Sequence, residues 1–137
     1  MGASSAYDGW ALIMKDQPVH PTHQYIQCYC HQGRIGAMVE FGLETWIVTQ
    51  REEFLAFARD IAMHVAASSP ASVDEMLRQV FVRDTKRTVG QVLQSTCSDL
   101  GERVIVTRFV RWDTDVQPPD SQTPPRDPAV AVKLKRA

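Results

Sequence analysis

The stretch 24–41, QYIQCYCHQGRIGAMVEF, alternates on both sides of a Gln32-Gly33 pair, and this pattern narrows the fold more than any other part of the chain. Successive side chains of a strand point to opposite faces. Gln24–His31 therefore reads as a strand with Ile26, Cys28 and Cys30 on one face and Tyr25, Gln27, Tyr29 and His31 on the other. Arg34–Phe41 reads as a second strand, with Ile35, Ala37, Val39 and Phe41 on an apolar face and Gly36, Met38 and Glu40 opposite. Gln32-Gly33 supplies the turn, because glycine accepts a positive φ without steric cost. The two runs form an antiparallel hairpin.

Helical spacing takes over beyond the hairpin. Thr49 and Glu52 have the spacing of a capping box, and Phe54, Phe57, Ala58, Ile61, Ala62 and Val65 follow as one apolar stripe. Pro70 closes that region. Ser72 with Glu75 starts a short helix through Met76 and Leu77. Thr88 with Gln91 starts another, carrying Val92, Leu93, Thr96, Cys97 and Leu100, with Gly101 placed as a left-handed C-cap. A last strand, Arg103–Trp112, sets Val104, Val106, Val110 and Trp112 on one face and Ile105, Thr107, Phe109 and Arg111 on the other.

The order strand, strand, helices, strand lacks a βαβ rhythm. It predicts an α+β fold: a three-stranded antiparallel sheet covered on one face by helices. The second sheet face is then uncovered. Tyr25, Tyr29 and Met38 lie there, or else the opposite set, because the pairing register decides which. Such a face can pack on a second copy as an isologous homodimer.

With 137 residues, 44% of them hydrophobic, the chain has room for one packed domain and tails. The expected division is an N-terminal extension over 1–22, a core over 23–113 and a disordered proline-rich tail over 114–137 that ends in a basic cluster. Trp10, Leu12, Ile13 and Met14 suggest a short docked helix before Pro18 and Pro21. A net charge of -1 gives no global field to attract nucleic acid or an anionic membrane. No apolar run approaches the ~20 residues of a membrane helix, and no secretory signal opens the chain. Three cysteines are an odd number and suit a reducing cytosol, so a cytoplasmic location is expected.

Signatures of catalysis are thin. The glycines form no phosphate-binding loop, and there is no nucleophile elbow. His20, His23, Cys28, Cys30 and His31 are zinc-ligand types, but Cys28 and Cys30 share a strand face from which His31 points away. The two cysteines read instead as small apolar residues on a buried face, and neither metal nor cofactor is expected. Met38, Met63 and Met76 read as core fillers, and His64 as a flanking surface or satisfied core residue. Trp46 and Ile47 are the anomaly, two large apolar side chains in a connection. Either they fold back onto the core or they form an exposed wedge that another protein receives.

Four collinear segments carry a resemblance: GRIGAMVEFGLETWIV from Gly33, RDIAMHVAAS at 59–68, DTKRTVGQVLQ at 84–94 and RFVRW at 108–112. Together they resemble elongation factor Ts, over most of 24–112. The resemblance implies an α+β dimerisation domain. It implies guanine-nucleotide exchange on the translational GTPase elongation factor Tu, by a cytoplasmic accessory protein with no catalytic chemistry of its own. Where the family pushes an Asp-Phe pair toward the GTPase's magnesium site, this chain has Trp46-Ile47 within Thr45, Trp46, Ile47 and Val48. The family's hairpin histidine, within Tyr-x-His-x-x-Arg-Ile-Gly, is matched by Tyr29, His31, Arg34, Ile35 and Gly36. The resemblance thus nominates His31, Arg34, Thr45, Trp46, Ile47 and Val48 as partner contacts. The family's N-terminal three-helix domain has no counterpart in residues 1–22, and the wedge has lost its carboxylate, so weak exchange, or binding without exchange, is expected. The alternative is a non-exchanging paralogue that serves as a homodimeric interaction module.

Overall fold

The computed structural model describes residues 21–116. The chain runs through β1 (His23–His31), β2 (Ile35–Leu43), a 3-10 turn (Trp46–Gln50), α1 (Glu52–Ser68), α2 (Val73–Arg78), β3 (Val80–Phe81), β4 (Asp84–Thr88), α3 (Val89–Leu100) and β5 (Val104–Asp113). β1, β2 and β5 form an antiparallel sheet in the order β1-β2-β5, and helices cover one of its faces, as the α+β reading expects. The helix expected around Trp10–Met14, His20 and the tail beyond residue 116 lie outside the described residues.

The core forms where β2 meets α1 and α3. Val39, Phe41 and Leu43 of β2 are sealed against Phe54, Phe57, Ala58, Ile61, Ala62 and Val65 of α1. Val89, Val92, Leu93, Cys97 and Leu100 of α3 and Val104 and Val106 of β5 complete it. Phe54 is the hinge of this packing. Its ring meets Phe41 edge-on at 5.7 Å and Tyr25 edge-on at 5.2 Å, the geometry aromatic quadrupoles favour.

Two single-residue irregularities decide the faces of the outer strands. Gln32 and Gly33 both take positive φ in the hairpin turn, and the Arg34 N–H donates to the His31 carbonyl. His31 nevertheless pairs with Ile35, leaving Arg34 as a third connecting residue. A two-residue loop would place Cys28 opposite Ala37; the observed register places it opposite Met38. One residue of slip moves a whole strand's side chains to the other face. Tyr25 and Tyr29 consequently pack on the core, while Ile26, Cys28 and Cys30 are exposed, which corrects the expectation of buried cysteines. In β5 a bulge follows the same logic. Glu40 pairs with Arg108 and Phe41 with Val106, so Thr107 is extra. Val104 and Val106 face the core, but Val110 and Trp112, expected to share their face, emerge on the open side and Phe109 turns inward.

The caps divide similarly. Thr88 and Gln91 form a complete capping box, and Gly101 closes α3 at φ 71°. The Ser72 hydroxyl caps α2 through the Glu75 N–H, while the Glu75 carboxylate reaches the Ala71 N–H. Thr49 does not cap α1. Its hydroxyl donates to the Trp46 carbonyl inside the 3-10 turn, and Arg51 occupies the N-cap position without a side-chain hydrogen bond. The β3–β4 hairpin has no counterpart in the sequence reading. It is tied to α1 by His64, which is fully buried and stacks on Phe81. Its Nε2 donates to Gln79 Oε1 at 2.8 Å, and its Nδ1 accepts from the Val82 N–H at 3.3 Å. Both ring nitrogens are satisfied only in the neutral form, and burial lowers the His64 pKa below its ordinary value of 6.5.

Two outcomes follow from this packing. Phe54→Ala removes the ring that joins sheet and helix and is expected to cost about 3–5 kcal/mol in urea unfolding. For His64 the unfolded chain binds more protons than the folded one just below pH 6.5, so stability is full above that pH and falls as pH drops through that region. Urea midpoints measured from pH 7.5 to 5.5 are expected to decline, and His64→Gln to flatten the decline. The lowered carboxylates Glu40, Glu44, Glu53 and Asp84 act in a separate window below about pH 4.5.

Candidate functional site

β2 ends at buried Leu43, and the chain leaves the sheet through Glu44 and an extended Thr45. The 3-10 turn that follows sorts its residues by direction. Val48 and Thr49 point inward at 2% and 8% exposure, whereas Trp46 and Ile47 project into solvent at 49% and 70%. Trp46 and Ile47 therefore stand on a turn whose far side is fixed in the core. The His23 ring lies 6.2 Å from the Trp46 indole.

The neck of this turn is gripped from the α3–β5 junction. Glu102 accepts from the Thr45 N–H at 2.9 Å with one carboxylate oxygen and from the Thr45 hydroxyl at 2.8 Å with the other. Arg103 returns the favour: its Nε donates to Glu44 Oε1 at 2.8 Å and its backbone N–H to Glu44 Oε2 at 3.2 Å. These hydrogen bonds from the Arg103 side chain and backbone hold the Glu44 carboxyl below its ordinary pKa. Gly101 turns the chain so that both residues face the neck. Inside the same junction the Cys97 thiol accepts from the Val104 N–H at 3.2 Å and donates to the Val104 carbonyl at 3.5 Å. Sequence reasoning passed over Glu44, Glu102 and Arg103, since no local spacing signals contacts 57 and 59 positions apart.

The residues nominated from sequence do not form one cluster. Thr45, Trp46 and Ile47 gather at the exit of β2. His31 and Arg34 sit at the hairpin turn, at the far end of the same strand, about 27 Å away at roughly 3.3 Å per residue. There His31 Nδ1 lies 3.2 Å from the Tyr29 hydroxyl, and Arg34 pairs with Asp115 at 2.7 Å. Val48 is in the core and serves as the anchor of the turn, out of reach of a partner.

Comparison with known proteins bears on this arrangement. A family model described as elongation factor TS matches residues 13–77, a span covering β1, β2, the 3-10 turn, α1 and nearly all of α2. The elongation factor Ts of Rubrobacter xylanophilus is 30% identical, over 77% of this chain and 77% of its own length. The chain belongs to the elongation factor Ts family. The elongation factor Ts of Alkaliphilus oremlandii is 27% identical over 77% of this chain and 69% of its own length. That of Desulfotalea psychrophila is 44% identical over 51% of this chain and 37% of its own. Of the turn residues that the resemblance nominates, Thr45 is a clamped neck residue and Val48 a buried anchor. Trp46 and Ile47 are the two residues of this turn that face solvent.

Among the described residues, no three His, Cys, Asp or Glu side chains gather into a set that could hold a metal ion, and no helix is long and apolar enough to cross a membrane. The cysteines differ sharply in chemistry. Cys28 and Cys30 are exposed on the open sheet face, while burial pushes the Cys97 thiol up to about 11. Ellman's reagent at pH 8 is expected to titrate Cys28 and Cys30 promptly and Cys97 only after denaturant is added.

Proposed function

We propose that this elongation factor Ts family member docks on elongation factor Tu through the Trp46-Ile47 edge and loosens its hold on guanine nucleotide. The observation that carries this reading is the exposure of two large apolar side chains on a turn anchored in the core. A solvated loop has no use for an exposed indole beside an exposed isoleucine, whereas a protein interface buries such pairs at its centre. The protein is then an accessory factor of translation elongation, acting in the cytoplasm on a GTPase and making no covalent bond itself.

Exchange demands differential binding. A partner speeds GDP release only if it prefers the loosened GTPase to the closed one, and nucleotide weakens the partner's binding in return. A 10⁴-fold population shift takes about 5.5 kcal/mol of such preference. Trp46 and Ile47 supply burial, at about 25 cal/mol per Å² of apolar surface. They supply neither the charge nor the acceptors of a carboxylate. Exchange is accordingly slow for the family, with binding dominated by the apolar wedge. His31 and Arg34 belong to a second, remote contact with the GTPase.

The open sheet face favours a second reading in parallel. Ile26, Met38, Val110 and Trp112 are 49%, 45%, 41% and 65% exposed on one surface, bordered by the Glu40–Arg108 pair. A second copy related by a two-fold axis covers such a surface on both protomers at once. A homodimeric, non-exchanging interaction module would keep this face and lose the GTPase.

Pull-down with elongation factor Tu and release of fluorescent GDP test the two readings. Binding with accelerated release is expected; absence of binding leaves only the interaction module. Trp46→Ala is expected to weaken binding about 30-fold, roughly 2 kcal/mol, while leaving the thermal midpoint within a degree or two.

A further inference from the structure

We infer that Glu102 is a positioning residue, the member of a two-strut clamp that sets the direction in which Trp46 and Ile47 are presented. The inference rests on the proposed wedge for its functional consequence, but its structural content stands on the clamp alone.

The neck of the 3-10 turn needs such a device. Thr45 is the last extended residue before Trp46, so rotation at its ψ swings both apolar side chains together. No side chain caps the 3-10 turn, and its own internal bonds leave the Thr45 N–H without an intrahelical partner. Glu102 supplies what the turn lacks. Its two oxygens take the Thr45 N–H and hydroxyl at 2.9 and 2.8 Å, short charge-assisted bonds that fix backbone and side chain together. One residue earlier, Glu44 takes two donors from Arg103. Neighbouring residues on one segment thus bind neighbouring residues on the other, each segment contributing one carboxylate. A single bond leaves a pivot; two adjacent bidentate contacts leave none.

The clamp also has a rigid base. Glu102 and Arg103 lie between the left-handed cap of α3 and the first residue of β5. The Cys97–Val104 pair of hydrogen bonds pins that junction from within. On the other side, the Thr22 hydroxyl donates to the Glu44 carbonyl, which steadies the neck from the start of β1. Trp46 is thereby referred to α3 and β5, not only to the strand from which it emerges. Loss of Glu102 leaves Val48 in the core and the fold intact, but frees the neck.

Time-resolved anisotropy of Trp46, in a Trp10→Phe/Trp112→Phe chain, tests the clamp without any partner. Glu102→Ala is expected to increase the fast depolarising component, and Thr45→Val to do so partly. Glu102→Gln is expected to restrain the indole almost as well, since an amide can accept from the N–H and donate to the hydroxyl oxygen. Unchanged anisotropy in Glu102→Ala, with native circular dichroism, overturns the inference. Fluorescent-GDP release from elongation factor Tu then reads the consequence. Glu102→Ala is expected to lower the maximal rate about tenfold and to raise the half-saturating concentration much less, because misorientation harms presentation more than buried area. An increase in half-saturation alone overturns the positioning role. Should the parent chain fail to bind elongation factor Tu, the wedge reading falls and the anisotropy result still decides the clamp.

Discussion

One-sided burial of the sheet is the constraint on which the molecule depends. Three strands and the helices inserted between the second and the last of them can seal a single layer of side chains, centred on Val39, Phe41 and Leu43. Phe54 locks that layer by meeting Phe41 and Tyr25 edge-on, so α1 cannot slide without breaking aromatic contacts at both neighbouring strands. With β2 held centrally, its exit is fixed in space. The 3-10 turn is then attached to the core by Val48 and Thr49 and displays Trp46 and Ile47 outward. The same one-sidedness leaves the opposite sheet face with an apolar surface.

The contrast between the ends of β2 gives the site its meaning. At the hairpin end, His31 and Arg34 are held by Tyr29 and Asp115 through exposed contacts that contribute little to stability. At the other end, the turn is braced from within by the core and from outside by Glu102 and Arg103. An apolar wedge is effective only when it is preorganised, since ordering a mobile indole on binding would consume much of what its burial contributes. In the proposed docking, an indole in place of a carboxylate also sets the selectivity of the edge. An indole suits an apolar recess, or the face of a cation, and cannot ligate a metal ion as a carboxylate does.

Much of this was legible in the chain. The strands β1, β2 and β5, the stripe on α1, the capping box at Thr88 and Gln91 and the cap at Gly101 all follow from periodicity and capping chemistry. The faces of the outer strands did not. Arg34 adds one residue to the hairpin connection and Thr107 adds one to β5, and each insertion inverts the alternation beyond it. Ile-x-Cys-x-Cys looks more apolar than Tyr-x-Gln-x-Tyr, yet Tyr25 and Tyr29 bury ring surface while the cysteines meet solvent. Thr49 had the spacing of a cap, but the 3-10 turn claimed its hydroxyl first. The Trp46-Ile47 anomaly was visible as a motif; the clamp at Thr45 was not, because it joins segments that only the fold brings together.

In the proposed docking, the Trp46-Ile47 edge is the surface that meets elongation factor Tu. Amide hydrogen exchange of the full chain, with and without GDP-bound elongation factor Tu, addresses it directly. Slowed exchange over residues 45–50 is expected when the GTPase is present. Exchange over 45–50 that is unaltered, with protection confined to the hairpin turn at 31–34 or to the open sheet face, would contradict it.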